Sequence, residues 1–130
     1  DGTGHDVFFY GDTAGKYLKW DESADTLFFP DNTNITFGSG NDATIGVSSD
    51  NLVITNTTAD KDIIFQSDNG SGGTTAYLTL DGSEGRTVVA KAMRFNDRTS
   101  LQLGSDADIQ MHHDGSNGFF NNITGIISEL

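Results

Sequence analysis

The chain has no cysteine and a single proline in 130 residues. Without thiols it forms no disulfide, no thiolate metal centre and no cysteine nucleophile. No apolar run approaches the roughly 18 residues of a membrane span. No signal peptide is visible at the start either, so membrane insertion is not expected. Cations are scarce: 7 Lys and Arg stand against 19 Asp and Glu, a net charge of −12. Such a surface repels phosphate backbones, which argues against nucleic acid as a partner. The chain lacks the G-x-S-x-G, H-E-x-x-H and phosphate-loop signatures. Nineteen acids make chance carboxylate pairs certain, so they give no support for glycoside cleavage. No enzyme and no cofactor are expected.

Apolar residues are also few, at 35%. That is little for a chain that must enclose its own core, and it suggests burial supplied by other copies. Yet there are nine Phe, three Tyr and one Trp, so the sequence is not a disordered polar tract. Glycine, at 16 residues, exceeds the usual share of about 7%. With Asn, Asp, Ser and Thr it fills the gaps between short apolar runs.

The chain repeats itself. Phe29-Pro30-Asp31 matches Phe95-Asn96-Asp97, and Ile35-Thr36-Phe37-Gly38-Ser39 matches Leu101-Gln102-Leu103-Gly104-Ser105, 66 residues on. Beyond that span the match slips, and Ala43-Thr44-Ile45 falls on Ala107-Asp108-Ile109. Residues 62–89 resemble 6–29: Asp62-Ile63-Ile64-Phe65 over Asp6-Val7-Phe8-Phe9, and Tyr77-Leu78-Thr79-Leu80-Asp81 over Tyr17-Leu18-Lys19-Trp20-Asp21. Thr87-Val88-Val89 matches Thr26-Leu27-Phe28. The chain reads as two A–B modules, 1–60 and 61–130, with segments A 6–28, B 29–54, A′ 62–89 and B′ 95–121. Residues 90–94 are an extra linker or strand. Residues 1–4 read as a loop, and a tail carrying Ile126-Ile127 could begin another unit. The opening on Asp1 rather than Met reads as a piece of a longer protein.

Period-two alternation and turns every 8–12 residues predict about a dozen strands of 3–6 residues and little or no helix. The expected class is all-β: an elongated repetitive structure, an intertwined homotrimeric fibre of β-prism or triple β-helix type. A monomeric β-sandwich is the alternative. The inward apolar residues of the trimer are expected to be Phe8, Phe29, Ile35, Phe37, Ile45, Leu52 and Ile54, with Ile64, Phe95, Leu101, Leu103, Ile109 and Phe119 in the second copy.

Three phrases carry a resemblance: GHDVFFYGDTAGKYLKWDESADTLFF at 4–29, DKDIIFQSDNGSGGTTAYLTLDGSEG at 60–85 and GSDADIQMHHDGSNGFF at 104–120. Together they resemble the repeat modules of tail-fibre and virion-appendage proteins of marine bacteriophages, cyanophages included. The resemblance implies an extracellular, homotrimeric virion component whose modules form a shaft or spacer. Other virion proteins, and host glycans, are the implied partners. That family usually shows an aromatic before a His-Asp-Gly turn; this chain has Met111-His112 before His113-Asp114-Gly115.

Candidates for chemistry are few. Three copies of His112 on a trimer axis could hold a transition metal, although adjacent strand residues face opposite ways and the plainer reading is a strand end before an Asp-Gly turn. His5 has no partner in sequence. Asp106 and Asp108, with Asp42, could bind calcium or cap turns. Trp20, Tyr17 and Tyr77 could form a sugar-stacking platform or pack across strands. Besides the fibre shaft, a carbohydrate-binding receptor-recognition module and a capsid decoration protein are the competing functions.

Overall fold

The computed structural model describes residues 4–123. Within them the chain is all-β, with twelve strands and no helix. The first three residues of the expected opening loop, and the tail with Ile126-Ile127, lie outside the described residues. The chain divides into two compact units between Ala90 and Lys91.

The first unit holds three antiparallel sheets, each a meander of three consecutive strands. They are β1 (Val7–Tyr10), β2 (Tyr17–Asp21) and β3 (Thr26–Phe28); β4 (Ile35–Phe37), β5 (Ala43–Ser48) and β6 (Asn51–Asn56); and β7 (Ile63–Asp68), β8 (Thr74–Asp81) and β9 (Arg86–Val89). The second unit holds one, built from β10 (Ser100–Leu103), β11 (Ile109–His113) and β12 (Gly118–Asn122). Each sheet falls on one of the four repeat segments, β6 and β12 running past the expected ends of B and B′, and no sheet closes on itself. Residues 90–94 are irregular, not strand.

Turn chemistry explains why pairing stays local. Ser49 and Asp50, both with positive φ, join β5 to β6 in a two-residue hairpin whose twist suits the flanking strands. In the β2–β3 turn, the Asp21 carboxylate accepts from the Ser23 and Ala24 N–H groups and the Ser23 hydroxyl. Asp81 does the same work between β8 and β9, accepting from the Ser83 hydroxyl and the Glu84 N–H. Asp6 and Asp62 each reach over to a backbone N–H at the start of these turns, on Glu22 and Gly82. These caps satisfy backbone donors that the short ladders leave over.

Eleven of the twelve strands keep to the 3–6 residues expected, and one outruns them. β8 has eight, because the ladder continues through polar Thr74 and Thr75 opposite Asp68 and Ser67. Hairpin pairing needs only backbone, so strands extend past the last apolar residue.

The repeat register also differs from the sequence match. Thr33 N–H to Pro30 O is repeated as Thr99 N–H to Asn96 O, and Thr57 N–H to Asp42 O as Ile123 N–H to Asp108 O. The spacing of 66 residues therefore runs unbroken from 30–57 to 96–123. Ala43 corresponds to Ile109 and Ile45 to Met111, as the ladders Phe37–Ala43 and Leu103–Ile109 require. The slip onto Ala107 was an accident of identity: Ala107 occupies the left-handed position of Asn41, with φ of 56° and 57°. In the A segments, Asp21 pairs Thr26 and Asp81 pairs Arg86, so Thr26-Leu27-Phe28 corresponds to Arg86-Thr87-Val88, one residue earlier than the Thr match suggested.

None of the described residues is buried. No pair of sheets encloses a core, so the described residues do not form the monomeric sandwich held as the alternative.

Candidate functional surface

The register assigns every side chain to a face. In β4–β6 the cross-strand row Ile35, Ile45 and Ile54 lies on one face with Phe37, Ala43, Val47 and Leu52. The row Thr36, Thr44 and Thr55 lies on the other. In β10–β12 the matching row is Leu101, Met111 and Phe120, with Leu103 and Ile109; Gln102, Gln110 and Asn121 form the opposite row. These two sheets are mainly apolar on one side and mainly polar on the other, with Val53 and Phe119 the large apolar residues of the polar sides.

A groove recurs on both. In the first it measures about 150 Å³ and is lined by Phe29, Thr33, Ile35, Ile45, Val47 and Leu52, beside Gly46. In the second it measures about 540 Å³, and Phe95, Thr99, Leu101, Met111, His113 and Gly118 stand at the corresponding positions. It is larger where Leu52 gives way to Gly118.

The first and third sheets behave differently. Val7, Phe9, Leu18, Trp20 and Leu27 share one face of β1–β3. The other face carries an aromatic cluster: Phe8 stacks on Tyr10 at 5.5 Å, and Tyr17 touches Phe8, Tyr10 and Phe28. Lys19 sits 5.5 Å from the Phe8 ring centre and bridges Asp6 at 2.8 Å and Asp21 at 2.7 Å. Its hydrogen bonds, to Asp21 first and then Asp6, raise its pKa; the Asp21 carboxyl is held down at about 2 by Lys19 and then by Ser23. In β7–β9 the Phe8, Lys19 and Phe28 positions are Ile64, Thr79 and Val88, and the cluster is gone.

The expected inward residues are therefore only partly brought together. Ile35, Phe37, Ile45, Leu52 and Ile54 share one face of their sheet, and Leu101, Leu103 and Ile109 share one face of theirs. Phe29 and Phe95 line the two grooves. Phe8 and Ile64 correspond to one another on β1 and β7. Phe119 lies on the polar side of β11–β12, opposite His112; the apolar position beside it belongs to Phe120. Met111 and Phe120 were missed, and the unbroken 66-residue spacing would have found them.

His112 pairs in register with Phe119, and the two rings stack at 4.8 Å and 13°. Its Nδ1 is buried without a hydrogen-bond partner. No group of three metal-ligating side chains occurs among the described residues. The neighbouring His113 places Nδ1 3.0 Å from Asp97, and that same nitrogen accepts from the Gly115 N–H at 3.1 Å. Asp42 and Asp108 lie over Gly38 and Gly104 in equivalent turns.

Trp20 and Tyr17 point to opposite faces of one strand and cannot share a platform. Tyr77 stands in a third sheet, at a bulge: Phe65 pairs Leu78 and Gln66 pairs Ala76, leaving Tyr77 as the extra residue. Its hydroxyl donates to the Asp68 carbonyl and its own carbonyl accepts from Ala90. The three aromatic residues are not assembled into a sugar-stacking surface.

No family model matches the chain, and no curated protein or solved structure matches it.

Proposed function

We propose that this chain is a shaft or spacer segment of a virion appendage, a homotrimeric fibre that carries a host-attachment tip. The observation that carries the reading is the absence of any buried residue among those described, although twenty-six large apolar side chains there are exposed. Ordering a residue costs about 1–2 kcal/mol of backbone entropy. Burying a large apolar side chain returns about 1.5–3 kcal/mol, so sheets left open on their apolar sides do not offset their own ordering. Partners of the same sequence supply the missing burial.

The role is mechanical. Stacked sheets hold a fixed spacing, and three linked tips raise avidity without new contacts at the host surface. The setting is the virion exterior, with other virion proteins at the segment's ends. Electron microscopy of the purified protein tests this: uniform rods are expected, and round particles the size of one chain would overturn it. Arrayed host glycans should stay blank; specific binding lost in Trp20→Ala would instead favour a carbohydrate-binding module.

A further inference from the structure

The register points to the surface through which copies meet. We propose that the apolar faces of β4–β6 and β10–β12 are the self-association surface, with Ile35, Ile45 and Ile54 in one sheet and Leu101, Met111 and Phe120 in the other packed against a second copy of this chain. The inference rests on the assembled-fibre reading and goes further, because it says which side of each sheet faces the neighbour.

Three observations favour a second copy as the occupant. First, away from the hairpin end, where Val47 and Leu52 become His113 and Gly118, the face is kept within the chain by chemistry rather than by identity. Ile35 becomes Leu101, Phe37 becomes Leu103, Ala43 becomes Ile109, Ile45 becomes Met111 and Ile54 becomes Phe120. Each face needs an apolar partner of like size, and another copy of the chain brings two such faces. Second, no strand residue on either face is an acid, and the one carboxylate at the edge, Asp97, lies against His113, so chains of net charge −12 meet few opposing acids there. Third, the opposite faces hold rows of Thr, Gln and Asn, which lose hydrogen bonds to water if covered without partners.

The absence of cysteine gives a clean test. Ile54→Cys and Phe120→Cys place a thiol on the apolar faces; Thr55→Cys and Asn121→Cys place one on the polar faces, one residue along. All four replace exposed or half-exposed residues on outer strands, so folding should survive. After mild oxidation of the full chain, Ile54→Cys and Phe120→Cys should run as covalent dimers on a denaturing gel, while Thr55→Cys and Asn121→Cys should not. Ile45→Lys should also weaken assembly by at least about 100-fold, because it sets a charge in a dry contact. Thr44→Lys should leave assembly unchanged. A wild-type chain that sediments as a monomer overturns the fibre reading and this inference together. A wild-type trimer in which the polar-face cysteines link and the apolar-face cysteines do not overturns this inference alone.

Discussion

The sheets β4–β6 and β10–β12 share a skeleton and differ in how two places are filled. Turn bonds, cross-strand pairs and the left-handed positions at Asn32, Gly38 and Asn41 repeat at 66 residues; the one at Asp50 has no counterpart at Ser116. In the first sheet Gly46 leaves room for Asn34, whose side-chain oxygen would stand 2.0 Å from a Cβ at Gly46. In the second, His112 fills that position and Ser100 stands opposite it. A large–small pair has become a small–large pair. At the hairpin end, Val47 and Leu52 face each other in one sheet, and His113 and Gly118 in the other. The comparison teaches that backbone geometry and the sidedness of the face are fixed, while volume is traded between neighbours.

The largest effect should come from what both sheets keep. Gly38 and Gly104 have φ of 84° and 91°, and a Cβ on either would stand 2.0 or 2.3 Å from the carboxylate of Asp42 or Asp108. Gly38→Ala and Gly104→Ala should each cost about 1–3 kcal/mol in urea melts. Equal costs sharpen the equivalence; a harmless change in one sheet breaks it.

A smaller effect should follow from transplanting the exchanged pair. Gly46→His alone should destabilise by about 1–2 kcal/mol, by crowding Asn34. Combining it with Asn34→Ser should recover at least about 0.5 kcal/mol beyond additivity. Strict additivity would mean that the two positions do not compensate.

The smallest effect concerns the other pair of sheets. Asp21 and Asp81 cap equivalent turns, and both carboxyls are lowered, Asp21 to about 2 through Lys19 and Asp81 through Ser83. A depressed folded pKa stabilises above the ordinary carboxylate pKa and loses that contribution as pH falls through the folded value. Melting temperature should therefore decline gently from about pH 5 toward pH 2. Asp21→Asn should flatten that decline more than Asp81→Asn, because Lys19 lies 2.7 Å from Asp21 while the cation beside Asp81, Arg86, stands off at 3.5 Å. Equal flattening would show that the lysine adds nothing at this exposed site.

Much of the fold was legible in the residues. Gly, Asp and Asn clusters mark the turns, and alternation marks strands such as Tyr17–Asp21. The four segments follow because the same Asp caps recur in both A copies. Register was harder. Phe119 and Phe120 are adjacent and equally apolar, and only the pairing Met111–Phe120 decides which one joins the apolar face. Ala107 hides a left-handed position that Asn usually advertises. The bulge at Tyr77 leaves no mark in the sequence, because an extra residue beside a glycine-rich loop resembles a longer loop. Two-sidedness was only half visible: Phe8 was expected inward, and the adjacent, equally apolar Phe9 lies on the opposite face of β1.

Sedimentation equilibrium of the purified chain tests the central claim most directly. The account predicts a species three times the 13.9 kDa chain mass, with its β signal lost in step with dissociation. A stable 13.9 kDa species that melts cooperatively on its own would contradict it.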